Sequence, residues 1–388
     1  MKKLSKAAEG LIGQPMFAFL AKAKELEKNG KSILHFEIGD PNFNSPQHVK
    51  NSAKKAIDED LTHYSSSMGI LEFREAISCY TKLNWGFEPS VDQVMICPAN
   101  ALIDFVVRCV VDHGEEVIYP DPGFPTYYSV LNYNGIAPIG IILKEENGFR
   151  MDPQDIKRKI TDKTRLIILN SPQNPTGAVM TQEEIVEVAN IAEEHDLYIL
   201  SDEVYAKIIY EKKHYSPSVL DLCKERTIII NSLSKTYSMA GWRLGYAVGP
   251  EEVIKKLGLM LQTILSCLPI FTQQGGIAAI MGDQRFLHDR VQELRLRRDI
   301  LTKGLKQIPG ISCLIPDGAF YAFPNISGTE MNDGQFSNKL LEEVGVCALP
   351  GSCFGGFGKK NIRLCYASID AKGIKEALKR IEHFIAKL

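Results

Sequence analysis

Between about residues 90 and 250, short apolar runs alternate with amphipathic stretches. Residues 94–96, 116–119, 166–169, 197–200 and 228–230 are apolar runs of strand length and predict buried strands. Between the third and fourth runs lies a helix signal. Thr181 and Glu184 form a capping-box pattern, and Ile185, Val188, Ala189 and Ala192 recur on one face. Strand and helix in this rhythm predict an α/β fold around a mostly parallel sheet covered on both sides. Ligands in such sheets sit beyond the carboxyl ends of the strands. The segments 170–177, 202–205 and 232–235 all follow predicted strand ends, so they can converge on one site.

Beyond about residue 290 the texture changes. A charged helix at 289–306, short strands around 313–324, a polar helix at 333–343 and further strands predict a smaller α+β domain. The amphipathic stretch 16–26 is expected to pack with that C-terminal part. The division predicted is a large domain at 46–289 and a small domain made of 1–45 and 290–388. There is no internal repeat and no low-complexity linker.

Composition narrows the class. A chain of 388 residues with 45% hydrophobic and 24% charged residues is that of an ordinary globular protein with about two domains. A net charge of −2 gives no basic surface for nucleic acid or anionic membrane. No run approaches the ~20 apolar residues of a membrane span, and the N-terminus lacks the apolar core of a signal peptide. The nine cysteines are scattered, without a Cys-x-x-Cys pair. They read as reduced thiols of a cytoplasmic protein rather than a disulfide frame or a zinc site. The eight histidines show no zinc-binding spacing. The run from Gly355 to Lys360 lacks both the first glycine and the Ser/Thr of a phosphate loop and reads as an ordinary loop.

The chemistry concentrates in Ser232-Leu-Ser-Lys235-Thr-Tyr-Ser-Met-Ala-Gly241-Trp-Arg243-Leu-Gly245. A lysine at the mouth of an apolar pocket has its pKa lowered toward that of a free amine nucleophile or base. Hydroxyls and a guanidinium nearby suit a phosphate. Asp202, after a buried run, needs a cationic partner if it is buried, although capping the following segment would also account for it. Asn174-Pro-Thr-Gly177 reads by itself as a tight turn.

Together these segments, in this order and at these intervals, resemble the class I/II aminotransferases of the fold-type I pyridoxal-phosphate enzymes. The resemblance runs along the whole chain. It implies that Lys235 carries pyridoxal 5'-phosphate as a Schiff base and that Asp202 pairs with the pyridine nitrogen. Tyr205 and Asn174 would bond the phenolic oxygen, Ser232 and Arg243 the phosphate, and Phe124 would stack on the ring. Gly39, in Gly39-Asp-Pro-Asn-Phe43, resembles a loop lying against the substrate. Tyr64 resembles a tyrosine that reaches a phosphate in the neighbouring subunit of a homodimer with shared sites. Arg363 matches the arginine that grips the substrate α-carboxylate, a task its planar fork suits.

One departure stands out. The family's glycine-rich turn before the phosphate helix is here Cys97-Pro98-Ala99-Asn100-Ala101, where Pro98 removes an amide donor; backbone amides at Ala99 and Asn100 would still bind phosphate. The turn also carries no cation for a distal carboxylate. The expected activity is therefore amino transfer between an amino acid and a 2-oxo acid, with a neutral amino acid as donor. A lyase or decarboxylase of the same fold is the alternative. A sensor module of a transcription regulator is disfavoured, because the fold's own N-terminal segment begins almost at Met1.

Overall fold

The computed structural model describes residues 2–388. Its centre is a seven-stranded sheet: β1 (Val94–Ile96), β2 (Glu116–Asp121), β3 (Ala137–Ile142), β4 (Thr164–Asn170), β5 (Tyr198–Asp202), β6 (Thr227–Ser232) and β7 (Gly245–Val248). The spatial order is β1-β7-β6-β5-β4-β2-β3. β7 runs antiparallel to both neighbours, and the remaining pairs are parallel. All five predicted strands are present. β3 and β7 were not foreseen. β3 lies at the edge, mostly half-buried, and Pro138 and Gly140, residues disfavoured inside strands, interrupt its apolar residues.

The central strands run further than their apolar cores suggest. β2, β4, β5 and β6 end on Asp121, Asn170, Asp202 and Ser232, polar residues whose backbones continue the ladder. Asn170 is in register with Asp202, and Asp202 with Ile230. Asp202 therefore ends a strand rather than standing beyond one. Polar side chains are acceptable there because Asn170, Asp202 and Ser232 line the cavity described below and Asp121 accepts from the Phe357 amide.

Both faces of the sheet are covered. Val106, Leu200, Ile230 and Leu257 belong to a core on one side, and Ile118, Ile167, Ile185 and Ile199 to a core on the other. Each such aliphatic side chain contributes roughly 1.5–3 kcal/mol when withdrawn from water. The helix Gln182–Glu194 carries the capping box read from the sequence, with Thr181 accepting from the Glu184 amide.

A third core gathers Phe36, Leu301, Leu340, Leu364 and Ile381. Around it stand helices Arg285–Leu305, Asp333–Val344 and Ala371–Ile385 and a three-stranded sheet of Tyr321–Ala322, Leu349–Pro350 and Ile362–Cys365. The first of these helices begins four residues before the charged run suggested, where the Asp283 side chain accepts from the Arg285 amide.

The N-terminal segment packs as expected in part. Leu34–His35 pairs in parallel with Val346–Cys347, and Lys22 contacts Asn338 and Glu342. At the other end of the helix Pro15–Lys28, however, Met16 joins the core containing Ile118 and Ile167, and Gln14 bonds Thr126. The segment thus bridges the two ends of the molecule.

Candidate active site

The carboxyl ends of β4, β5 and β6 open into a cavity of about 480 Å³. Each strand tip delivers one part of it. β6 runs directly into the short helix Leu233–Thr236, which carries Lys235. Lys235 Nζ donates to the carbonyl of Gly39 at 2.7 Å. Burial lowers its pKa, with Asp40 opposing and Arg363 and Arg243 assisting. The amine is thereby moved toward its neutral, nucleophilic form. Gly39 admits no side chain, because a Cβ there would stand 2.2 Å from the Tyr321 hydroxyl.

Asp202, at the tip of β5, is 4% exposed. Burial raises its carboxyl to about 6, opposed by bonds from the Tyr127 hydroxyl at 2.6 Å and the Val204 amide at 3.3 Å. Neither donor carries a charge, so the carboxylate faces the cavity without a cation bonded to it among the described residues. Tyr205, three residues on, bonds the Tyr321 hydroxyl at 2.8 Å.

At the tip of β4 the turn folds back on itself. The Asn174 amide bonds Asn170 Oδ1, while Asn174 Oδ1 accepts from Arg363 Nη1 at 3.2 Å. Gly177 holds φ at +73°, and a Cβ there would press on Pro316 at 2.5 Å. Arg363, 1% exposed, also donates through Nη2 to the Glu37 carbonyl and lies between the rings of Tyr321 and Phe354, at 4.6 and 4.8 Å. Its Nε is buried with no hydrogen-bond partner among the described residues. A buried cation with an unused donor in a cavity wall suits an anionic ligand.

The opposite wall holds Ser232, Ser234, Arg243 and the start of the helix Ala99–Val110. The Ser232 hydroxyl bonds Ser234 Oγ and the Leu244 carbonyl, and Arg243 is exposed, bonding the Ala240 carbonyl. Pro98 stands in the capping position before this helix rather than inside it. Its missing N–H therefore leaves the first-turn amides of Ala99 and Asn100 in place, as the sequence reading allowed. Phe124 lines the cavity and meets Tyr127 edge-on.

Of the residues expected at the site, Gly39, Ala99, Asn100, Phe124, Asn174, Asp202, Tyr205, Ser232, Lys235, Arg243 and Arg363 line this one cavity. Tyr64 does not. It is 88% exposed and borders a separate cleft with Ser65, Ser66, Ser67, Gln262 and Ser266. Sequence reasoning assigned no role to Tyr127, Tyr321 or Ser234, nor to Gln14 at the cavity rim. Tyr127 carried a signal, since it falls three residues after Phe124 in the first turn of the helix Pro125–Tyr133. In the loop from Gly355 to Lys360, Asp121 Oδ1 accepts from the Phe357 amide, so a carboxylate of the chain itself satisfies that turn.

Among the described residues, no group of three His, Cys, Asp or Glu side chains could hold a metal, and no helix is long and apolar enough to cross a membrane. The cavity's donor set matches an organic cofactor with three different ends. A lowered amine suits an aldehyde, a buried carboxylate suits a protonated ring nitrogen, and hydroxyls, amides and a guanidinium suit a phosphate. Set at the strand tips of an α/β sheet, this arrangement defines a pyridoxal-phosphate-dependent transferase. The chain belongs to the aminotransferase class I and II family, which it matches over residues 31–381.

It is 40% identical to an aspartate aminotransferase of Pyrococcus horikoshii, over 91% of this chain and 90% of that one. An aromatic-amino-acid aminotransferase of Thermococcus litoralis is 36% identical over 94% of each chain. The crystal structure of an aspartate aminotransferase from Rhizobium meliloti superposes with a TM-score of 0.94 at 30% identity, covering both chains fully. The protein is a pyridoxal-phosphate-dependent aminotransferase, moving an amino group between an amino acid and a 2-oxo acid. A lyase or decarboxylase reading is not favoured.

Proposed function

We propose that this aminotransferase takes a neutral amino acid as its distinctive donor, in a site where Lys235 is the catalytic amine and Asp202 the partner of the ring nitrogen. The cofactor supplies the electron sink for carbanion chemistry at the substrate Cα. The chain's own residues do the rest. Lys235 Nζ, its pKa lowered by burial, would move the proton from the substrate Cα to the cofactor's C4′ carbon. Arg363, gripped by Asn174 and Glu37, holds the α-carboxylate so that the Cα–H bond is aligned for that transfer. Tyr205 and Asn174 would bond the phenolic oxygen. Ser232, Arg243 and the amides of Ala99 and Asn100 take the phosphate, and Phe124 covers the ring.

One observation carries the donor preference. Among the described residues, the cations lining the cavity are Lys235, Arg243 and Arg363, and each already has a task. Burying a distal carboxylate without a partner costs at least a few kcal/mol. Phe17, Ile38 and Met16 line the same cavity and offer apolar contact instead. The name of the Pyrococcus horikoshii relative points toward aspartate and that of the Thermococcus litoralis relative toward aromatic donors. Comparing kcat/KM for aspartate with those for leucine, phenylalanine, methionine and alanine decides the matter. Neutral donors are expected to lead, and an aspartate preference of a hundredfold or more would refute the proposal.

The lysine assignment has its own test. Borohydride reduction of the loaded enzyme followed by peptide mapping should place the pyridoxyl group on Lys235, and a label on any other lysine removes that assignment. The further proposals are a large domain at 46–289 with a small one formed by 1–45 and 290–388, a homodimer with shared sites, and a cytoplasmic role in amino-acid metabolism. The separate core around Phe36 and Leu364 supports the first, and nine free cysteines support a reducing compartment.

A further inference from the structure

Glu203 is a buried acidic side chain that the mechanism above does not use. It follows Asp202 directly, is 0% exposed, and points away from the cavity that Asp202 enters; it does not line that cavity. Each of its carboxylate oxygens has two hydrogen-bond partners. Oε1 accepts from the hydroxyls of Ser201 at 2.9 Å and Ser216 at 2.5 Å. Oε2 accepts from the indole N–H of Trp85 at 2.8 Å and pairs with His214 Nε2 at 2.9 Å. These partners come from the end of the helix Leu71–Trp85, from β5 and from the loop around residue 215.

A fully enclosed carboxylate is expensive unless every lone pair is used. Here the bonds go to three separate parts of the chain, and the backbone of Glu203 adds two more. Its amide donates to the Ile230 carbonyl of β6, and its carbonyl accepts from the Ala206 amide. The side chains of this turn divide between two sides. Ser201 and Glu203 meet behind the strand tip, while Asp202 and Tyr205 face the cavity.

We infer that Glu203 is a positioning residue for the cofactor site: anchored from behind, it fixes the turn that presents Asp202 and Tyr205. The inference rests on Asp202 being the partner of the ring nitrogen. The anchor works through hydrogen bonds, so glutamine can replace it. Its amide can donate to the two serine oxygens, while its carbonyl oxygen accepts from Trp85 and His214.

The test measures three properties of each variant: the melting temperature of the apoprotein, the dissociation constant of pyridoxal phosphate, and the pH dependence of the bound cofactor's absorption band. Glu203→Ala is expected to weaken cofactor binding at least tenfold and to shift the pH at which the band changes. Glu203→Gln is expected to stay within threefold of the parent in binding, with the band unmoved. An alanine variant that melts earlier but keeps the parent's affinity and band would overturn the inference, since that is what a purely structural residue does. Equal damage from glutamine and alanine would also overturn it, by assigning the effect to charge rather than anchoring. If the alanine variant does not fold, Trp85→Phe carries the test: threefold or greater weakening is expected, and unchanged binding overturns it. Asp202→Asn is measured in parallel. An unaltered band there would remove the Asp202 assignment itself, a failure distinguishable from that of the anchor.

Discussion

Asp202, the proposed partner of the ring nitrogen, burdens the fold that holds it. Its carboxyl sits near 6 rather than 3.8 because burial disfavours the charge, and the neutral donors Tyr127 and Val204 compensate only in part. The folded apoprotein thus holds a proton that the unfolded chain has already released. Stability should fall as pH rises from about 4 to about 6, by up to on the order of 3 kcal/mol. Asp202→Asn should therefore raise the melting temperature of the apoprotein at pH 8, with the advantage fading below about pH 4. A variant no more stable than the parent at pH 8 would contradict this reading. The same variant should lose catalysis, because the amide cannot keep a ring nitrogen protonated. That opposition between stability and function is expected where a site is built before its ligand arrives.

Among the elements, the strands place the chemistry and the capped helices hold the strands in place. The helix Gln182–Glu194 separates β4 from β5, whose tips carry Asn170 and Asp202 in register. Its start is fixed twice over, since Thr181 accepts from the Glu184 amide while Glu184 accepts from the Thr181 amide and from Arg150. Thr181→Ala should cost about 1 kcal/mol locally. Hydrogen exchange in the first turn of that helix should accelerate about fivefold, which is that energy expressed as a rate ratio. Cofactor affinity should not change, because Thr181 does not line the cavity. A loss of affinity would mean that the helix start is coupled to the site.

For the whole molecule, the position of Tyr64 raises the question of a second subunit. It stands 88% exposed in a cleft apart from the cavity, with Leu259, Ile264 and Leu265 also exposed on the surface. A side chain expected to serve a phosphate but turned away from its own cavity is explained if it serves another copy's. Mixing Tyr64→Phe with Lys235→Ala and allowing subunit exchange tests this. Each hybrid would contain one site with both residues intact, so about half of the hybrid sites should recover activity. A fully active monomer in sedimentation would exclude shared sites.

The motifs around Asn174, Asp202, Lys235, Arg243 and Arg363 were legible in the chain because each joins a short run of special residues to an apolar strand or turn. Alternating apolar runs also determined the α/β class, since burial on both faces leaves no other pattern for β4, β5 and β6. What lay outside the sequence was whatever depends on strand ends and distant partners. The length of the strands was hidden because their tips are polar, and β3 because Pro138 and Gly140 interrupt its apolar residues. The bond from Tyr127 to Asp202 joins positions 75 apart, and the four donors around Glu203 come from segments as far as 118 residues away. Apolar periodicity reports which face of an element is buried. Only the packed structure decides which polar atoms, once buried, find one another.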